Sequence, residues 1–170
     1  MPVHRIAPAS LFLAGVLGLT SLSPVTVEAA DPVCPDCDRV VSRVLELLPQ
    51  KPRHVVVIDL DAQPTAIRQQ FAHAEGFVRD GDDRIFLTKQ GSSFQNALRG
   101  AGIWDYALAI TVWHEMAHLA GADEAAAQRQ EEQLWNEFVV SGKVDASRGL
   151  AYLRLLRNRR ANDRLPKPSN

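Results

Sequence analysis

His114 and His118 stand four residues apart, with Glu115 beside the first, in the run His114-Glu115-Met116-Ala117-His118. Four residues are a little more than one helical turn, so on a helix both imidazoles project from one face. Such a face can offer two nitrogen donors to one divalent cation, and Zn2+ suits this donor type. Glu115 follows about 100° further round the helix. From there its carboxylate can reach a water on the ion without binding the ion itself. Zinc brings the pKa of such a water toward about 7. Glu115 can then accept the proton as general base and return it to a leaving amine. The H-E-x-x-H spacing therefore describes metal-assisted hydrolysis. A pair of hydrogen-bonded core histidines is the competing reading of the same residues.

Hydrolytic zinc sites take three protein donors and keep a fourth position open. The third donor is sought on the next helix. At 100° per residue, Glu124, Gln128 and Glu131 fall within roughly 60° of one another, on the stripe that also carries Trp135 and Phe138. They are expected on the buried face, beside the turn from the histidine helix. Polar groups in that position need partners, and a metal supplies one. Glu124 is the expected third ligand, Glu131 its rival, and Asp123 a lesser candidate.

The elements around these residues follow from periodicity. Trp104 to Ala120 predicts a long helix that is apolar on most of its circumference, through Leu108, Ile110, Val112, Trp113, Met116 and Leu119, with Gly121 at its end. Asp123 to Ser141 predicts a second helix, and Asp145 to about Arg159 a third. Earlier in the chain, Val40, Val41, Val44, Leu45, Leu47 and Leu48 recur at helical spacing, with Asp36 or Asp38 as cap and Pro49 as stop. His54 to Leu60 is β-branched and apolar, the mark of a buried strand. Thr65 to Ala74 reads as a short helix. Gly76 to Arg79 and Arg84 to Thr88 flank Asp80-Gly81-Asp82-Asp83 and read as a hairpin. Ser92 to Arg99 is a short helix ended by Gly100 and Gly102. A helix, a small sheet and then a helical half make an α+β domain, with no linker dividing it.

In these residues the chain resembles the small zincin-type metallopeptidases, closest to the gluzincins. There an H-E-x-x-H helix is followed by a helix that donates Glu, often as E-x-x-A-[DN]. Glu124-Ala125-Ala126-Ala127-Gln128 fits except for Gln in the last place. The resemblance implies Glu124 as third zinc ligand and Gln128 as a residue holding a ligand in place. His118…Gly121…Glu124 also follows the metzincin pattern H-E-x-x-H-x-x-G-x-x-H with Glu replacing the last His. No Met follows Met116, so the Met-turn of that branch is absent. The gap from His118 to Glu124 is shorter than in most gluzincins. The resemblance spans roughly residues 84–140. It implies a minimal zincin-like domain acting on a peptide or protein substrate. It further implies that the strand Arg84 to Thr88 borders the cleft and pairs with extended substrate, with an ordinary hairpin strand as the competing reading. Zincins stabilise the transition-state oxyanion with Tyr, His or Arg; Tyr152 is chosen from Tyr152, Tyr106, His73 and Arg148.

Length and composition bound the remaining choices. The 170 residues, 18.7 kDa, suit one domain. Apolar residues make up 46% and charged residues 23%, which argues against a disordered chain. A formal net charge of −1 argues against a partner bound by bulk positive charge, nucleic acid above all. Residues 1–29 read as a secretory signal peptide: Arg5, the apolar run Leu11 to Leu19, then Val27-Glu28-Ala29 before the cut. The mature domain is expected over 30–170, with 165–170 a loose tail, in a secreted or periplasmic location and free of the membrane. Cys34 and Cys37 are expected to form a small-loop disulfide in that oxidising setting; a redox pair and free or metal-bound thiols are the alternatives. Trp104, Trp113 and Trp135 are expected in the core. The arginines from Arg154 to Arg164 are read as a solvated helix end, or else as contact with an anionic surface. The leading functional reading is an exported zinc peptidase. The rivals are a non-catalytic metal-binding module and a thiol–disulfide protein. The oligomeric state is not legible.

Overall fold

A computed structural model describes residues 26–29 and 34–163 of the chain, with side chains over 34–158. Among these residues the elements run β1 (Thr26–Ala29), α1 (Cys37–Leu45), β2 (His54–Ile58), a single 3-10 turn (Leu60–Ala62), α2 (Thr65–Gln70), β3 (Gly76–Phe77), β4 (Arg84–Thr88), α3 (Ser92–Arg99), α4 (Ile103–Leu119), α5 (Glu124–Val140) and α6 (Ala146–Asp163). The architecture is α+β, as expected. The sheet order is β1-β2-β4-β3. β1, β2 and β4 run parallel, with Val55 opposite Ile85 and Val57 opposite Leu87. β3 is antiparallel to β4, with Phe77 opposite Phe86.

Strand alternation divides the core into two layers. Val55, Val57, Ile85 and Leu87 point toward α1, α3 and α4, and join Val41, Val44, Phe94, Leu108, Ile110 and Val112 in the main core. Val56, Ile58, Phe77 and Phe86 point the other way, into a smaller cluster with Leu60. Phe71 stacks on Phe77 at 3.7 Å between ring centroids, closing that cluster from the end of α2. Each fully buried aliphatic side chain contributes about 1.5–3 kcal/mol of transfer free energy. α4 holds Leu108, Ile110 and Val112 at 0% exposure, which anchors its first half in the domain.

A buried polar node orients α4. Asp105 accepts from Arg43 Nε at 3.2 Å and Arg43 Nη2 at 3.0 Å, and the same Nη2 donates to Ala97 O at 2.9 Å. One guanidinium on α1 thus ties α3 and α4 together. Asp105 also accepts from Gly102 N at 3.2 Å, satisfying a free donor at the start of α4.

Several boundaries differ from those read off the sequence. The strand beginning at His54 stops at Ile58, because Asp59 accepts from Asp61 N and turns the chain into the 3-10 turn. α2 ends at Gln70 rather than Ala74. β4 is not the sheet edge: it lies between β2 and β3. Hydrogen-bonded on both sides, β4 has no free edge for an extended substrate, so the expected pairing through Arg84 to Thr88 is not met; β3 is the edge strand on that side. Of the expected signal peptide, residues 1–25 lie outside the described residues, and Thr26–Ala29 form β1 beside β2. A cut after Ala29 would take β1 from that edge and leave β2, β4 and β3. The tail 165–170 also lies outside the described residues. Cys34 and Cys37 are paired as a disulfide at the start of α1, with Cα atoms 5.4 Å apart. Trp135 is fully buried and donates from Nε1 to Gly149 O at 2.9 Å. Trp104 and Trp113 are half-buried against the same core.

Candidate metal centre

The turn between α4 and α5 builds the site. Gly121 adopts φ +87, the left-handed conformation that ends α4. Gly121 N bonds His118 O and Ala122 N bonds Ala117 O, each at 2.9 Å. These two bonds satisfy carbonyls at the helix end and reverse the chain within three residues. Asp123 then caps α5, its side chain accepting from Ala126 N at 2.7 Å. Capping of this kind contributes about 1 kcal/mol. The consequence is that Glu124, first residue of α5, faces the last turn of α4.

Three donor atoms converge there. His114 Nε2 and His118 Nε2 are 3.0 Å apart. Glu124 Oε2 lies 3.2 Å from His118 Nε2 and 3.5 Å from His114 Nε2. Tetrahedral zinc with bonds of about 2.0–2.1 Å needs donor separations of roughly 3.3–3.4 Å. The observed triangle matches that requirement to a few tenths of an ångström. His114, His118 and Glu124 are thus a group that can hold a metal ion.

The donors are held from behind. His114 Nδ1 lies 3.2 Å from Glu131 Oε2. His118 Nδ1 lies 3.0 Å from Ala122 O, a carbonyl delivered by the Gly121 turn. A carbonyl only accepts, so His118 carries its proton on Nδ1 and leaves Nε2 free as a donor to metal. Gln128 Nε2 donates to Glu124 Oε1 at 2.6 Å, leaving Oε2 for the triangle. Glu131 therefore meets the far nitrogen of His114, away from the converging atoms.

Burial is graded across the group. The side chain of Glu124 is 62% exposed and that of Glu131 10%, and Glu115 is buried. Solvent thus has access from the Glu124 side. Burial pushes the Glu115 carboxyl above its ordinary range, partly offset by the charges of His114 and His118. For His114, burial favours the neutral ring. The bond to Glu131 and the charges of Glu131, Glu115 and Glu124 outweigh it and raise the imidazole. For Glu124, burial acts upward. His114, the Gln128 bond and His118 outweigh it and hold the carboxyl low.

A cleft of about 180 Å³ runs beside the triangle and is lined by Glu75, Gly76, Thr111, Glu115 and Tyr152, among others. It brings β3, α4, α5 and α6 together. Of the four oxyanion candidates, only Tyr152 lines it. Tyr106 instead packs edge-on against Phe138 at 5.0 Å, while His73 and Arg148 are exposed. Tyr152 lies against Trp135 at 4.5 Å and meets Trp104 edge-on at 6.1 Å, so its ring is braced.

Sequence reasoning missed three contributors. Gly76 brings β3 against α4, and a glycine inside a strand pattern is a signal of such close approach. Glu75 lines the cleft while its carboxylate accepts from Ser92 N and Ser93 N at the start of α3. The Ala122 carbonyl carries no side-chain signal at all.

Fold and site together define an α+β domain with a two-histidine, one-carboxylate cluster at the mouth of a small cleft. No protein-family profile, curated protein or solved structure matches the chain significantly.

Proposed function

We propose that the chain is a zinc-dependent peptidase of minimal zincin-like architecture, exported from the cytoplasm. The observation that carries the reading is the convergence of His114 Nε2, His118 Nε2 and Glu124 Oε2 to within 3.0–3.5 Å, with the buried Glu115 alongside. The donor set of two imidazoles and a carboxylate is one that catalytic zinc takes. When bound, zinc supplies a Lewis acid and a water acidified toward about pKa 7.

The chain's own residues supply the rest. Glu115 accepts a proton from the attacking water and delivers it to the amide nitrogen as the C–N bond breaks. Tyr152 donates its hydroxyl proton in a hydrogen bond to the carbonyl oxygen as that oxygen gains charge. The edge strand β3 offers backbone groups to an extended peptide lying along the cleft. Export is supported by the apolar run Leu11 to Leu19 and by the disulfide at Cys34 and Cys37. No described helix is long and apolar enough to cross a membrane.

The size of the cleft, about 180 Å³, favours a second reading, a metal-binding module without catalysis. The test is cleavage of a peptide library by zinc-loaded wild type and Glu115→Gln protein. The peptidase reading expects cleavage by the first and a loss of roughly 10²–10⁴-fold in the second, with zinc retained by both. Equal cleavage by the two proteins overturns it, and no cleavage by either favours the module.

A further inference from the structure

We infer that Glu131 is a positioning residue that aims His114 at the metal, an inference that rests on the metal-centre reading above. The gluzincin-like match gives such a duty to position 128. In this chain Gln128 is occupied with Glu124, and the residue that reaches a ligand imidazole lies almost one turn further down α5.

The geometry separates the two carboxylates of α5 by depth. Glu124 stands at the exposed first turn and meets the Nε2 side of both rings. Glu131 is seven residues on, about two turns, and so on nearly the same stripe. From its buried position its Oε2 lies 3.2 Å from His114 Nδ1, on the opposite side of the ring. A buried carboxylate is costly unless it is hydrogen-bonded. Nδ1–H is a donor aimed at it, so the pairing fixes the His114 proton on Nδ1 and the lone pair on Nε2. A carboxylate behind an imidazole also makes the ring a stronger electron donor to a metal.

The two ligand histidines are thereby held differently. His118 leans on the neutral carbonyl of Ala122, while His114 leans on a charge. Removing that charge leaves all three donors of the triangle in the chain. The expected loss is therefore in affinity and not in the number of ligands.

Cobalt and zinc titration of wild type, Glu131→Gln, Glu131→Ala and Glu124→Ala tests this. Glu131→Gln keeps the side chain's volume and an acceptor, so it guards against a collapse that Glu131→Ala could cause. The melting temperature of each metal-free protein controls for folding. Positioning predicts that both Glu131 variants bind roughly 10–100-fold more weakly. The Co2+ visible spectrum keeps the wild-type band pattern in both, whereas Glu124→Ala changes it. Unchanged affinity in both Glu131 variants overturns the inference and leaves the metal centre standing. So does a spectral change in them that copies Glu124→Ala, since Glu131 would then be a ligand. Failure of wild type to bind either ion overturns the metal centre itself, and the inference with it.

Discussion

Gly76 and Glu115 approach so closely that a Cβ built on residue 76 would lie 3.4 Å from Glu115 Cγ. The same atom would lie 3.0 Å from Thr111 Cγ2 and 3.3 Å from Phe86 O. β3 therefore touches α4 at the turn that carries the proposed general base, and the absence of a side chain sets the width of the cleft. Gly76→Ala asks a few tenths of an ångström of Thr111. Gly76→Val asks for more, and β3 must move. Crowding of this kind costs about 1–3 kcal/mol. We expect Gly76→Val to lower the melting temperature and to impair peptide cleavage more than zinc binding. Unchanged cleavage and unchanged stability in Gly76→Val would contradict the close packing.

Tyr152 is braced by Trp135 and Trp104 through its ring and lines the cleft. Tyr152→Phe keeps that ring and removes only the hydroxyl. If the hydroxyl meets the developing oxyanion, kcat falls by roughly 10²–10³-fold while zinc content holds. Wild-type kcat in Tyr152→Phe would return the role to another group.

The Cys34–Cys37 disulfide closes a loop of about four residues at the start of α1. Loop-closure entropy for so short a loop is worth about 2 kcal/mol. A Cys34→Ser/Cys37→Ser double variant should unfold at lower denaturant concentration, by up to that amount, and keep its zinc and its cleavage. A variant of full stability that has lost activity would instead favour thiol–disulfide chemistry.

Asp82, in the turn from β3 to β4, accepts from Arg84 Nε at 2.9 Å, from Arg84 Nη2 at 2.8 Å and from Arg84 N at 3.0 Å. The guanidinium bonds first, then the backbone bond, hold its carboxyl down at about 2, against an opposing effect of burial. A depressed folded-state value stabilises the fold above the unfolded value near 3.8 and is lost as pH falls from there toward 2. Asp82→Asn should show a shallower loss of stability over that window than wild type, measured by denaturant melts at pH 4, 3 and 2. Parallel losses in the two proteins would contradict the assignment.

How much of this was legible depends on the range of the interaction. α4, α5 and the Gly121 stop could be read locally, because periodicity and a helix-ending glycine act over one or two turns. The bounds of Ser92–Arg99 follow from the same local signals. β1 is not legible locally: Thr26 to Ala29 carries a cleavage-like pattern, and its parallel pairing to β2 is non-local. The order of β4 and β3 is likewise a tertiary choice, and no local pattern shows which partner of the hairpin is the edge strand. Helical spacing put Glu124 on the buried stripe of α5. At the first residue of the helix that stripe has run past the edge of the core, and the side chain is exposed. Spacing also put Glu131 near the histidines. Which nitrogen of His114 it meets depends on how α4 and α5 are set against each other, and no local pattern encodes that.

The most direct test is the zinc content of purified protein by elemental analysis, for wild type and His118→Ala, after loading with zinc and removal of the excess. Convergence of the two imidazoles and the Glu124 carboxylate on one ion predicts one zinc per wild-type chain and almost none in His118→Ala, with both proteins folded. A wild-type chain without zinc, or a His118→Ala chain that keeps a full equivalent, would contradict it.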